Sequence, residues 1–284
     1  MNAVKIENIS YRVHNKTILK NISFGVDERE SFALIGENGS GKTTLIDLVL
    51  GDINPTQGSV KLFGKSNTDF KDVGVVYDRS PLFPMLKTRE IIKYFCHLNK
   101  VYYKSILKKG YIEIFQLEKL VDSYIAYLSQ GEKQRLGVLI ALIRNPRLLI
   151  LDEPFSNLDP IIVNRIWNVI KTEERTVLFS THNWKEIEKL ADKIVLINKG
   201  QMMCEPLSPI DLLNKLPTKQ KLVVHMSEEL KSMYNTYASY LDGDNLVLFF
   251  DGNDLFLKKL GKYTNSFSVQ DVSLKDVYLY LSKN

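Results

Sequence analysis

Eight consecutive residues, Gly36-Glu37-Asn38-Gly39-Ser40-Gly41-Lys42-Thr43, restrict this chain more than any other feature. They fit the pattern G-x-x-x-x-G-K-[ST] at every position, and they stand where an apolar run, Ser31 to Ile35, stops and helix-forming sequence begins at Thr43. A strand that feeds a glycine-rich turn into a helix start aims main-chain amides inward as an anion nest. In such a loop Lys42 reaches the β and γ phosphates of a nucleotide and the Thr43 hydroxyl can hold Mg²⁺, with Thr44 next in the helix. A merely flexible turn would leave the flanking strand unexplained.

A second segment supplies what a phosphate nest lacks. Leu148-Leu149-Ile150-Leu151-Asp152-Glu153 is an apolar run long enough for a buried strand, closed by two acids at its carboxyl end, where open α/β sheets bind ligands. Asp152 is suited to the Mg²⁺ shell, and Glu153 to orienting or deprotonating an attacking water. On its own, such a run also describes a strand capped by solvated acids. The glycine loop upstream decides between the two.

Between and after these segments the texture alternates. Strand-like runs at Val4–Ile9, Ile18–Leu19, Ile22–Val26, Val73–Tyr77, Thr176–Ser180 and Ile194–Ile197 are interleaved with helical stretches, which predicts an α/β fold with a parallel sheet covered on both faces. Asn54-Pro55 and Gln57-Gly58 predict turns. From Arg89 to about Ile143 helical periodicity takes over with many aromatics, a helical insertion spanning about 88–145. Pro206, Pro209 and Pro217 then mark a connector, and Leu222–Met226, Leu246–Phe250 and Leu274–Leu281 predict a small α/β domain of residues 206–284 behind a main domain of 1–205.

Composition removes several classes. At 44% hydrophobic and 25% charged residues the chain reads as globular. Its longest apolar candidate, Leu136–Ile143, is closed by Arg135 and Arg144, far short of the roughly 18 to 20 residues a membrane span needs. Met1–Ser10 has no apolar signal core, so a reducing cytosol is expected for Cys96 and Cys204, which are too few and too separate for a disulfide framework. The net charge of +5 comes from lysines spread along the chain, which does not point to nucleic acid; it fits either a solvated face or proximity to an anionic leaflet.

Leu128-Ser129-Gln130-Gly131-Glu132-Lys133-Gln134-Arg135, 152 − 131 = 21 residues before Asp152, resembles the signature sequence of ABC ATPases, with Gln130 and Glu132 where glycine and glutamine are more usual. Ser129 and the Gly131 backbone would start a helix whose N-terminus faces a γ-phosphate. Other segments are similar to the family in order. Tyr11, 36 − 11 = 25 residues before the loop, stands where an aromatic stacks on adenine, unless it is simply a core tyrosine. Ser156-Asn157-Leu158-Asp159 resembles the loop through which paired subunits communicate, and Ser180-Thr181-His182 the switch segment whose histidine contacts the γ-phosphate.

One position departs: Asp78 follows Val73–Tyr77 where the family usually has a glutamine that touches Mg²⁺ or water. Asp78 either brings an extra negative charge to the site or points to solvent, leaving coupling to neighbours such as Arg79.

The resemblance implies a P-loop NTPase core of the ABC type, with a parallel sheet, an antiparallel β subdomain, a helical insertion and a small C-terminal α/β domain. ATP and Mg²⁺ would be its cofactors. It further implies ATP hydrolysis by two subunits closing face to face, coupled to a transmembrane permease from the cytoplasmic side. The permease would dock near Leu82-Phe83-Pro84-Met85, although Phe83 and Met85 read equally as core. The end of the chain, Val272–Leu279, resembles the close of ATPases serving simple bacterial exporters, which favours export. The rival readings are a soluble ABC protein acting in translation, cluster assembly or repair, and a regulator that binds ATP without useful hydrolysis. A single uninterrupted cassette argues against the first, and Asp78 keeps the second open.

Overall fold

Continuous apolar runs and half-buried ones sort the first part of the chain into two sheets. The computed structural model describes residues 1–66, 70–78, 82–156, 158–184, 187–227, 230, 237–253, 257–258, 260–261, 264 and 266–283. They divide into two units, Met1–Pro206 and Leu207–Asn284. The first unit begins β1 (Asn2–Val13), β2 (Lys16–Asp27), β3 (Ser31–Ile35), α1 (Lys42–Leu50), β4 (Gln57–Leu62) and β5 (Val73–Val76). Its helical part is α2 (Thr88–Leu98), α3 (Tyr103–Lys108), α4 (Tyr111–Ile114) and α5 (Gln130–Leu142). It closes with β6 (Leu148–Leu151), α6 (Pro160–Thr172), β7 (Thr176–Thr181), α7 (Ile187–Leu190), β8 (Lys193–Asn198) and β9 (Gln201–Met202).

Every residue of β3 and β6 is buried, as strands covered on both faces must be. They belong to a six-stranded sheet of order β5-β6-β7-β3-β8-β9, parallel from β5 to β8 with β9 antiparallel at the edge. In register Ile35 pairs with Thr181 and Leu151 with Phe179, so β3, β6 and β7 run out at one edge. That common exit delivers Gly36, Asp152 and His182 to the same side of the sheet.

The second sheet is antiparallel, β2-β1-β4, and the two runs Ile18–Leu19 and Ile22–Val26 prove to be one strand, β2. The Phe24 ring stacks on Phe32 with centroids 4.9 Å apart, tying this sheet to β3. Leu, Ile, Val and Phe from both sheets and α1 share one buried cluster, each side chain contributing about 1.5–3 kcal/mol of burial. Gln57-Gly58 is not the turn that the sequence suggests, because both residues lie inside β4. Gly58 sits at φ +88°, and an added Cβ would stand 2.3 Å from the Glu7 carbonyl oxygen, so the glycine serves a close strand crossing at a register shift between β1 and β4.

In the helical part, the guanidinium of Arg135 on α5 is buried and donates from Nη1 to the carbonyls of Phe115 and Gln116 at 2.9 and 3.0 Å. This one cation organises the chain just after α4, because a buried arginine requires acceptors.

The second unit, α8 (Pro209–Leu213), β10 (Gln220–His225), β11 (Ser239–Asp242), β12 (Asn245–Phe250), β13 (Phe267–Asp271) and α9 (Leu274–Lys283), builds a four-stranded antiparallel sheet of order β11-β12-β10-β13. β11 and β13 have no sequence expectation. All five side chains of β13 are exposed, so it lacks the buried alternation that reveals a strand.

Asp276, 1% exposed, accepts from Lys221 Nζ at 2.7 Å, from the Ser273 hydroxyl at 2.7 Å and from the Tyr240 phenol. Burial acts to raise its pKa, but Lys221 and the Ser273 and Tyr240 donors outweigh it and hold the carboxyl below its ordinary value. A carboxyl so depressed stabilises the unit above the ordinary aspartate range, and the stabilisation is lost as pH falls through that range and below it. Asp276→Ala strands the Lys221 ammonium and is expected to cost about 3–5 kcal/mol. Hydrogen exchange of β10 and β12 against urea checks this, and unchanged protection would remove the network from the unit's stability.

Candidate functional site

The loop from β3 to α1 has no side-chain cap. Gly41, at φ +108°, is the N-cap of α1 and offers no side-chain acceptor to the first-turn amides. That backbone conformation strains any residue with a Cβ. Lys42 begins the helix with its ammonium turned back into the loop, 6% exposed, donating to the carbonyls of Gly36 at 2.8 Å and Glu37 at 3.2 Å. Burial lowers its pKa, and the carboxylates of Glu153 and Asp152 partly restore it. Ser40 Oγ is buried with no hydrogen-bond partner. Glu37, Asn38 and Gly39 form the exposed outer rim, and Thr44 is half-buried on the first turn.

The acids reach this loop from β6. Asp152 is 2% exposed; its Oδ2 accepts from the Thr43 hydroxyl at 2.8 Å and its Oδ1 from the Ser180 hydroxyl at the end of β7. Ser180 Oγ also accepts the Glu153 amide at 2.9 Å, so one hydroxyl sets both acids. Glu153 holds φ +48°, an uncommon conformation for a residue with a side chain and a form of local strain that clusters at functional sites. Its carboxylate stands between two groups, with Oε1 3.8 Å from Lys42 Nζ and Oε2 2.8 Å from His182 Nδ1. Oε1 is buried and has no hydrogen-bond partner. Behind it, the Glu153 carbonyl accepts from Gln134 Nε2 at 2.6 Å and from Ser156 Oγ at 3.0 Å.

These donors and acceptors fit a phosphate chain with a hard cation. Uncapped helix amides, a buried ammonium and an unpartnered hydroxyl suit anionic oxygens. The Thr43 alcohol beside the Asp152 carboxylate is an oxygen pair of the kind magnesium takes. No group of three or more His, Cys, Asp or Glu among the described residues could hold a metal ion, so a cation here would complete its shell with phosphate oxygens and water.

The other predicted positions lie apart from this cluster in their contacts. Tyr11 on β1 is half-buried against the apolar core. Ser129 caps α5: its hydroxyl accepts the Glu132 amide at 3.3 Å while the Glu132 carboxylate accepts the Ser129 amide at 2.7 Å, a reciprocal capping box. Gly131 lies in the first turn of that helix. Asp159 is exposed and caps α6 by accepting the Ile161 amide at 2.8 Å. Asp78 is exposed just beyond β5, and its carbonyl accepts from Gln130 Nε2 at 3.3 Å, which joins the start of α5 to the end of that strand. Arg79 and Asn157 lie outside the described residues.

Gln134, Gln130 and the Ser180 hydroxyl carry no role that the sequence alone predicts. Gln134 is 3% exposed and Ser180 fully buried, so each needs a partner. The partners are 19 and 27 residues away in sequence, a distance that helical or strand periodicity does not report.

A sequence model of the family described as ABC transporter matches residues 19–156. The uncharacterized ABC transporter ATP-binding protein YdbJ of Bacillus subtilis (strain 168) is 32% identical over 96% of this chain and 93% of its own length. The Nod factor export ATP-binding protein I of Neorhizobium galegae is 28% identical over 99% of this chain and 85% of its own. A solved structure described as the ATP binding subunit of an ABC transporter superposes with a TM-score of 0.68 at 24% identity, covering 75% of this chain and 92% of that one, which establishes the fold. Glycine loop, buried acids and near full-length likeness agree: the chain belongs to the family of ABC transporter ATP-binding subunits, P-loop ATPases whose hydrolysis of ATP powers transport.

Proposed function

We propose that this chain hydrolyses Mg·ATP at the site built on Lys42, Thr43, Asp152 and Glu153, acting as one of a pair of ATPase subunits that drive export through a separate transmembrane permease, on its cytoplasmic side. The observation that carries the reading is Glu153: one carboxylate oxygen is oriented by His182, and the other is buried with no hydrogen-bond partner beside the Lys42 ammonium. A base for water needs such an oxygen.

In this reading residues 36–44 receive the triphosphate, Lys42 taking the β and γ oxygens, while Thr43 and Asp152 hold Mg²⁺ with Asp78 as a further candidate. Bound Mg²⁺ would neutralise charge on the phosphates. Glu153 accepts the proton of the attacking water and His182 contacts the γ-phosphate. Tyr11 contributes a face to the base, with its other face on the core. Ser129 and Gly131 at the start of α5 address nucleotide held by the second subunit, and Asp159 lies at the contact between the two. Residues 1–205 carry this work, with 206–284 as an accessory domain.

The permease face is supported by exposure. Phe83 is 50% and Met85 82% exposed, so neither is core. The Phe83 ring meets exposed Tyr94 edge-on at 6.0 Å, and hydrogen bonds from Ile125 to the Leu86 carbonyl and from Ala126 to the Pro84 carbonyl bring exposed Tyr124 and Tyr127 alongside. An apolar and aromatic patch of this kind marks an interaction site. Export is supported by the tail, which is included in the likeness to the Nod factor export relative.

Glu153→Gln removes the base while keeping the shape, and turnover is expected to fall by about 10²–10⁴-fold with ATP retention intact. Steady-state phosphate release with a nucleotide-binding control checks it, and near wild-type turnover would assign the base elsewhere. Phe83→Asp is expected to lower transport in reconstituted vesicles at least severalfold while ATP binding survives. Unchanged transport would move the docking face.

A further inference from the structure

The net charge of the whole chain is spread out, but one stretch departs from that pattern. Between Glu90 and Glu113 there is no acidic residue and there are five lysines, Lys93, Lys100, Lys104, Lys108 and Lys109. Two of them have other partners: Lys109 pairs with Glu173 at 3.4 Å, and Lys93 lies over the Tyr103 ring at 5.4 Å. Lys100, Lys104 and Lys108 are exposed and make no ion pair among the described residues.

Between and beside these three lysines stand apolar side chains that the fold leaves in water. Leu98 at the end of α2 is 61% exposed, Tyr102 at the N-cap of α3 is 86% exposed, and Leu107 is 46% exposed. The inward side of the same segment is occupied by Cys96 and Ile106, both 2% exposed. Lys104 and Lys108, one turn apart, therefore share the outward face of α3. The connection from α2 to α3 turns at Lys100, which adopts φ +56° and whose amide donates to the His97 carbonyl at 3.0 Å. The outcome is a short segment where lysine alternates with leucine and tyrosine and which carries no carboxylate of its own, Glu173 being paired with Lys109 at its edge.

We propose that this surface, Leu98 to Lys108, rests against the anionic phospholipid surface of the bilayer and orients the subunit there. The inference rests on the reading that the chain works beside a membrane permease. Charge complementarity selects the occupant: unpaired lysines without intervening acids match a negative leaflet, and tyrosine and leucine are side chains that settle at the headgroup boundary. A protein groove would instead require acceptors placed to meet three separate exposed ammonium groups, whereas a layer of lipid phosphates meets them wherever they stand.

The full-length chain, without any permease, is sedimented with vesicles rich in phosphatidylglycerol and with vesicles of phosphatidylcholine alone, at low and high salt. The expected result is retention on the anionic vesicles only, weakened by salt. The combined variant Lys100→Glu, Lys104→Glu and Lys108→Glu is expected to lower retention at least about tenfold, since each lysine at such a surface is worth roughly a fivefold change in partition. Tyr102→Ser, which leaves the charge alone, is expected to lower it severalfold. Both variants should keep basal ATP hydrolysis, which also separates this proposal from the catalytic reading: loss of ATPase activity in the wild type would sink that reading and leave vesicle retention to be judged by itself. Equal retention on both vesicle types, or retention indifferent to charge reversal, overturns the proposal. So does retention that appears only when purified permease is present in the vesicles, which would make the surface a protein contact.

Discussion

A cation that water can hardly reach has to be surrounded by oxygen, and the ammonium of Lys42 is held in that condition by the loop that precedes it. The Gly36 and Glu37 carbonyls occupy two of its three hydrogens, and the Glu153 carboxylate stands just beyond bonding distance. Neutral carbonyls balance the desolvation of an ammonium only in part, as its lowered pKa records. The ammonium is therefore short of hydrogen-bond acceptors, which the oxygens of an incoming phosphate would supply. Gly41 keeps the adjacent helix amides free of side-chain caps, so the same deficit is felt by main chain and side chain together.

The sheet turns this local deficit into a place for chemistry. Because β3, β6 and β7 are parallel and end in register, the loop carrying Lys42, the acids 152 and 153 and His182 arrive at one edge without any long connection. Ser180 is the joint between two of these arrivals, since its hydroxyl meets both Asp152 and the Glu153 amide. The strained conformation of Glu153 is held in place from several sides, as such conformations must be to persist.

How much of this can be read from residues alone depends on whether the constraint is local. The glycine loop, the apolar run ending in Asp152-Glu153 and the buried strands β3 and β6 are contiguous patterns, and the α/β P-loop fold follows from them. Phe83 and Met85 fit core and surface equally in sequence because an apolar residue does not announce its neighbours; their exposure decides the matter. Gln57-Gly58 predicts a turn because glycine after a polar residue is common in turns, whereas here the requirement is a close approach of β4 to β1. β13, with both faces in water, carries no periodic signal at all. Ser180 and Gln134 act across 27 and 19 residues, where only the folded chain brings the partners together.

The tether of α5 to the edge that carries Asp152 and Glu153 runs through main-chain oxygen. Gln134 grasps the carbonyl of residue 153 and not its side chain, and the neighbouring Arg135 likewise holds the carbonyls of Phe115 and Gln116. A main-chain acceptor is present whatever residue occupies the position. Scaffold and reactivity are thereby decoupled: a change of side chain such as Glu153→Gln leaves in place the oxygen that moors this helix, so long as the glutamine and the arginine themselves are kept.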